Sequence, residues 1–441
     1  MKKLLLFLSV LLIACAVLIA CGGNSSESTD NGSEDQATAE PSQTNAETKK
    51  SAVSTMAPAT ETEASLTKKP DREINLDDPT ITFVKEFPAP EAKTGDDLRK
   101  IVLDYMLEES AIKWKAGENF TIEFNPKVEH DFGCHLEFKK GVTYEGVPYT
   151  GMASSLEHFE QFVKDGVFKN DIYYYDDCVG NNCSTAIVVA YNRIMDFPGS
   201  GGFKPTVARY GVLMYPIELK VPEGSYFSRD LINLNGKDKI FEAYAALDAG
   251  DMLYKNIETS GHVRMVDHVE VKTSLSGKPN YAQSQVVCVE QTNAFDQQRK
   301  LSNNINSTFF VDRKYAFSTL ADTEFEPVSL NIFREEAPVL KSAYITYTGK
   351  NTPEDAVQKQ LIGKVESNFS LNYVRFSLTD GSGNIVKVID KFLMNRAYTY
   401  DIRKDSYYLF DGVAPGTYTY TLRAGIARGG VDLESFQVTL P

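Results

Sequence analysis

From Gly22 to about Leu76 the chain is dominated by Ser, Thr, Glu, Asn, Ala and Pro, and the first aromatic side chain after Gly22 is Phe83. Such a stretch cannot bury enough apolar surface to offset the entropy of ordering it. Residues 22–75 therefore read as a tether. As a flexible coil they span roughly 40 Å root-mean-square, and pulled straight they reach about 180 Å. Every core must come from residues beyond Leu76, and the composition permits this, because 42% of the 441 residues are hydrophobic and 11% aromatic. A chain of this length favours two to three domains over one. Lys and Arg number 46 against 60 Asp and Glu, a net charge of −14. That balance argues against nucleic acid as a partner, since phosphate binding needs clustered positive charge. It fits an extracytoplasmic monomer that repels its own copies.

Ahead of the tether, Lys2 and Lys3 precede an apolar run from Leu4 to Ala20, the arrangement of a secretory signal. The run is short for a membrane span, and nothing later in the chain reaches the length that one needs. It ends Leu18-Ile19-Ala20-Cys21-Gly22, which resembles the lipobox of bacterial lipoproteins. The resemblance implies a signal peptide over 1–21, lipidation at Cys21, and anchoring to the bacterial cell membrane through acyl chains alone. A similar Leu12-Ile13-Ala14-Cys15 lies inside the apolar run with no polar sequence behind it, which favours Cys21.

Order begins in residues 76–135, expected to form a strand and a helix. Ile81 and Phe83 alternate, and Leu98, Ile101, Val102, Tyr105 and Met106 repeat at helical spacing. Thr94 with Asp97 three residues on predicts the cap. The same pattern carries the helix to about Lys115, with Trp114 read as packing against the next domain in preference to stacking on a ligand.

The chemistry concentrates between Tyr144 and Asn293. Gly146-Val147-Pro148-Tyr149-Thr150-Gly151 is rich in turn residues, and Asn182-Cys183-Ser184-Thr185-Ala186 runs into an apolar helical pattern. With Asn182 as N-cap, Cys183 falls in the first helical turn, where free N–H groups and the helix dipole favour a thiolate. Downstream, Gly250-Asp251 precedes Gly261-His262-Val263, a glycine opening an apolar strand with His262 at its mouth. Val286 to Asn293 reads as the following strand, on which Glu290 is placed to orient the imidazole.

In this order these segments resemble the papain-like wall hydrolases, namely the NlpC-type cell-wall peptidases and the cysteine-, histidine-dependent amidohydrolase/peptidase (CHAP) group. The resemblance covers roughly residues 136–330. Val289-Glu290-Gln291 is nearer the CHAP Glu-Gln-Asn ending than the His of most NlpC members. Two features depart from the family: Asn182 stands where Asp is usual, and the interval from Cys183 to His262 is long. Part of that interval, 197–236, reads as loops over a cleft, followed by a short helix at 240–247. The resemblance implies Cys183, His262 and Glu290 as a catalytic triad, with Tyr149, Asn182 and Ser184 lining the substrate site. It implies peptidoglycan stem peptides as substrate and requires no metal or cofactor.

Other readings compete. Cys178 is a second candidate nucleophile, but it precedes the helix. Cys134 and Cys178 are a possible disulfide in an oxidising compartment. His130, Cys134, His135, Cys178 and Cys183 form a conceivable zinc set, though their spacing matches no paired metal-ligand signature. His158 and His268 read as surface or packing residues. Beyond Ile332 short strands are expected at 343–347, 373–378, 385–389, 398–400 and 417–422, broken by Asp380-Gly381-Ser382-Gly383-Asn384 and Pro415-Gly416. They resemble the immunoglobulin-like accessory modules of surface proteins, either a spacer or a glycan-binding unit. The expected architecture is thus α+β, a papain-like cysteine peptidase core with a helix packed on an antiparallel sheet over 136–330, then an all-β immunoglobulin-like sandwich over 331–441. Two functions fit, a lipid-anchored cysteine peptidase or amidase, and a catalytically silent lipoprotein that binds or scaffolds the wall.

Overall fold

Thr94 and Asp97 close a capping box, each side chain taking the other's backbone N–H, and the helix Gly95–Ala111 starts there. It buries Leu98, Val102, Tyr105 and Met106 as its periodicity dictates, and it ends earlier than the apolar pattern predicts. Ile112 turns extended, and Lys113–Ala116 becomes a strand whose residues alternate exposed and buried. The period of two prevails because Trp114 finds an aromatic nest: Tyr144 and Phe168 lie 5.0 and 4.8 Å from its ring. Its indole N–H donates to the Gly146 carbonyl at 2.8 Å. Trp114 is a core residue, with no free face for a ligand.

The computed structural model describes residues 73–127, 133–197, 203–205, 211–258, 261–393 and 397–441. Residues 1–72, which include Cys21 and nearly all of the tether, lie outside them, as does His130. Among the described residues no helix is long and apolar enough to cross a membrane. The architecture is mixed, about 23% helix and 34% strand, with mostly antiparallel sheets.

A six-stranded sheet organises the larger core. Its strand order is Phe309–Ala316, Gln285–Gln291, Gly261–Glu270, Met252–Asn256, Glu326–Leu330 and Leu213–Met214, every pairing antiparallel. The helix Cys183–Tyr191 packs on it. From Thr185 to Tyr191 every side chain is buried, so this helix is apolar all round, the mark of a central helix. Where 197–236 reads as loops, the structure also holds the short strand Leu213–Met214 and the helix Ser228–Asn235, which buries Leu231 and Ile232. The expected helix at 240–247 lies at Lys237–Ala245.

Two further four-stranded antiparallel sheets enclose a second core. One runs Ile385–Phe392, Leu371–Thr379, Gly416–Ile426, Gly429–Leu440. The other runs Phe83–Phe87, Ala343–Thr348, Lys364–Ser367, Thr399–Asp401, with Phe83 opposite Tyr347 and Phe87 opposite Ala343. The strand expected to start an N-terminal element over 76–135 is thus the edge of a C-terminal sheet. Long-range pairing of this kind leaves no trace in local pattern. Nor is position 331 a clean boundary. Glu157 takes Arg423 at 2.7 Å and Tyr373, and His158 stacks on Tyr373 at 3.9 Å while touching Asp390 at 3.1 Å. His158 is accordingly a buried packing residue, whereas His268 is exposed.

Candidate active site

Cys183 is the first residue of its helix, and the local sequence dictates this. The Asn182 side-chain oxygen accepts from the backbone N–H of Ser184 and of Thr185, at 3.0 and 2.9 Å, while Thr185 Oγ1 accepts from the Asn182 N–H at 2.8 Å. The Ser184 hydroxyl also donates to that oxygen at 2.8 Å, and the Asn182 amide donates to the Tyr175 hydroxyl at 3.0 Å. The polar atoms of Asn182 and Ser184, expected at the substrate site, are therefore engaged in building the helix start. The capping leaves the Cys183 N–H as a donor with no intrahelical partner.

Two loops bring Tyr149 to this point. Asn181 donates to the Pro148 carbonyl at 3.1 Å and accepts from the Thr150 N–H at 2.9 Å. Gly180 permits the approach: its φ of +151° lies outside what other residues favour, and a Cβ there would collide with the Pro148 carbonyl oxygen. The buried Asn181 side chain pins the loops further, donating to Glu109 at 3.0 Å and to the Ser154 carbonyl at 2.9 Å. The Tyr149 hydroxyl is thereby set beside the Cys183 thiol, and the two act on each other's ionisation.

His262 lies on the strand Gly261–Glu270, and its Nε2 is 2.5 Å from Glu290 Oε2 on the neighbouring strand Gln285–Gln291. That contact leaves Nδ1 as the ring nitrogen free to face Cys183, whose sulfur acts on the imidazole. Sequence reasoning missed two residues here. Arg264 Nε donates to Glu290 Oε2 at 2.8 Å, and the Tyr315 hydroxyl donates to Glu290 Oε1. The Arg264 guanidinium is itself held between Tyr315 and Phe325, 3.7 and 3.9 Å from their ring centres. Arg264 stands two residues after His262, so strand periodicity would have placed it on the same face. Tyr315 comes from a distant strand, and no local signal marks it.

The electrostatics follow from this packing. Burial would raise the Glu290 carboxyl, yet Arg264, His262 and Tyr315 together hold it well below the usual carboxylate range. Burial disfavours charge on His262, but the Cys183 thiolate and Glu290 outweigh it and lift the imidazole to about 9. Burial likewise opposes ionisation of Cys183. The imidazolium, the Val263 N–H and the Tyr149 hydroxyl reverse that and lower its pKa. Each partner thus favours the charged form of the other, so the two titrate as a coupled pair.

The other cysteines differ. Cys178 is fully buried and burial drives its thiol up; its Sγ points to the Val179 carbonyl at 3.7 Å. Burial pushes Cys134 up to about 12 and also raises Cys288. All four described cysteines are free, so Cys134 and Cys178 are not bonded. Among the described residues no group of three or more His, Cys, Asp or Glu is placed to hold a metal. Asp251 of the Gly-Asp turn is structural, buried against Arg99 at 2.8 Å and Ser329 at 2.5 Å. Chemically, the arrangement offers a thiol biased toward ionisation, a proton carrier, a fixed orienting carboxylate and two donors, the Cys183 N–H and the Tyr149 hydroxyl, beside the sulfur. Comparison with protein families, curated proteins and solved structures returned no match.

Proposed function

We propose that this protein is a cysteine hydrolase of amide bonds that acts through Cys183, His262 and Glu290 on peptidoglycan stem peptides. In this reading the core is papain-like, the C-terminal sheets form an immunoglobulin-like accessory module, and the chain is carried at the bacterial surface by a lipid on Cys21. The carrying observation is the 2.5 Å contact of His262 with buried Glu290, on an imidazole that is electrostatically coupled to Cys183 at a helix start. The amide class and the wall substrate rest on the family resemblance of the motifs.

The Cys183 thiolate attacks the carbonyl carbon and forms a C–S bond. The oxyanion is met by the Cys183 N–H and the Tyr149 hydroxyl, each such donor being worth about 3 kcal/mol. The His262 imidazolium gives its Nδ1 proton to the leaving nitrogen as the C–N bond breaks. Water then attacks the thioester, its proton goes to His262, and the acid leaves as thiolate is restored. Glu290 keeps the ring oriented and stabilises its charge throughout.

The test is mass spectrometry of fragments released from purified peptidoglycan by the protein and by Cys183→Ala. New amide-cleavage products from the first and none from the second are expected. Equal release by both would refute the mechanism. No release by either would favour a silent wall-binding lipoprotein.

A further inference from the structure

Lys255 stands directly opposite His262 in the antiparallel pairing of Met252–Asn256 with Gly261–Glu270. Residues paired this way project from the same face of a sheet. Phe325 gives an independent fix on the placement. Its ring centre lies 6.2 Å from that of His262, 3.9 Å from the Arg264 guanidinium and 5.8 Å from the Lys255 ammonium. Three cationic groups thus gather around one buried ring beside the nucleophile.

They are not equally neutralised. Arg264 and His262 share Glu290, and His262 also faces the thiolate. Lys255, half-buried, has no carboxylate within ion-pair distance among the described residues. Burial works against its charge, more distant Glu324 supports it and Arg264 opposes it, with a net downward direction. A cation that has lost part of its hydration and gained no counter-ion is satisfied when an anion arrives. In a chain of net charge −14, a local positive site is also what lets an acidic ligand approach.

We infer that Lys255 is a specificity-determining residue that receives a carboxylate of the substrate next to the scissile amide, so that acidic peptides are preferred. The inference rests on the reading of Cys183 as nucleophile, and it assigns the class of substrate that the site favours.

Two alkylating agents of nearly equal shape test it, iodoacetate with its carboxylate and neutral iodoacetamide. The readout is the ratio of their rates at Cys183, followed by mass spectrometry of the intact chain at pH 7.5. Lys255→Met is expected to lower the iodoacetate-to-iodoacetamide ratio by at least about threefold, the effect of one charge several ångströms away in a partly screened site. Lys255→Glu should lower it further, and Lys255→Arg should keep it. An unchanged ratio in Lys255→Met and Lys255→Glu would overturn the proposal, as would an equal loss in Lys255→Arg. The parent reading fails separately: if iodoacetamide reacts with Cys183 in the unaltered protein no faster than with a free thiol, the thiolate is refuted, while the ratio still reports on Lys255.

Discussion

Glu290 is the residue on which the site's electrostatics turn. It is buried, and it stays ionised because Arg264, His262 and Tyr315 surround it. Arg264→Met removes one cation and leaves the carboxylate under-compensated. Breaking a buried pair from one side typically costs about 3–5 kcal/mol, and a loss near the lower end is expected because His262 and Tyr315 remain. A carboxyl with a depressed pKa stabilises the fold above its unfolded pKa and ceases to do so as acid protonates it. The deficit of Arg264→Met should therefore be full at pH 7 and shrink towards pH 3, read as urea midpoints. Tyr315→Phe, which removes a single hydrogen bond to a charged group, should cost less, about 1.5–3 kcal/mol.

The Cys183–His262 pair has its own signature in pH. The lowered thiol contributes stability that disappears as acid protonates the thiolate. The raised imidazole contributes stability that disappears as base removes its proton near pH 9. Between these limits the pair is intact, so the stability difference between the protein and Cys183→Ala should be largest near pH 7 to 8 and fall on both sides. A difference that is flat from pH 5 to 10 would contradict the ion pair.

Among the elements, the helix Cys183–Tyr191 owes its start to Asn182 and its neighbourhood to Gly180. Asn182→Ala removes the cap oxygen that holds two backbone donors, and about 1 kcal/mol of stability should go with it. Gly180→Ala should do more harm to Cys183 reactivity than Asn182→Ala, because it forces apart the loops that seat Tyr149 against the thiol; iodoacetamide rates check the order. These elements are the most legible part of the sequence. The Asn182 cap, Cys183 in the first turn, His262 at the mouth of a strand and Glu290 on the next are local patterns, and local hydrogen bonding fixes them. What cannot be read depends on distant partners. Trp114 leaves the helix for a strand because aromatic rings far along the chain receive it. Tyr315 reaches Glu290 across a strand pairing that only the folded sheet defines. Arg264, by contrast, lies within reach of the same periodicity that places Glu290.

For the whole molecule, the chain leaves its second core after Phe87, builds the larger core, and returns at Ala343 to complete the sheet that Phe83–Phe87 edges. The seam is charged, half-buried where Glu157 bonds Arg423 and Tyr373 and buried where Asp390 bonds Arg375 as well as His158. Deleting 331–441 would strip the partners from Phe83–Phe87, take Asp390 from His158 and take Arg423 and Tyr373 from Glu157. Such a truncated chain should be insoluble or lose its cooperative thermal transition, and a soluble, two-state 73–330 fragment would contradict this account of the seam. The linear division at 331 expected from sequence misses the seam because the strand Phe83–Phe87 carries no mark of where its partner lies.

The central claim is that Cys183 is a thiolate held by His262 at neutral pH. Thiolate absorbance near 240 nm measures this directly, as the difference between the protein and Cys183→Ala followed across pH. The account predicts that the difference rises below the range in which a free thiol of pKa about 8.5 ionises, and that His262→Ala moves its rise upward. A difference that appears only above pH 8, in step with an ordinary cysteine, would contradict it.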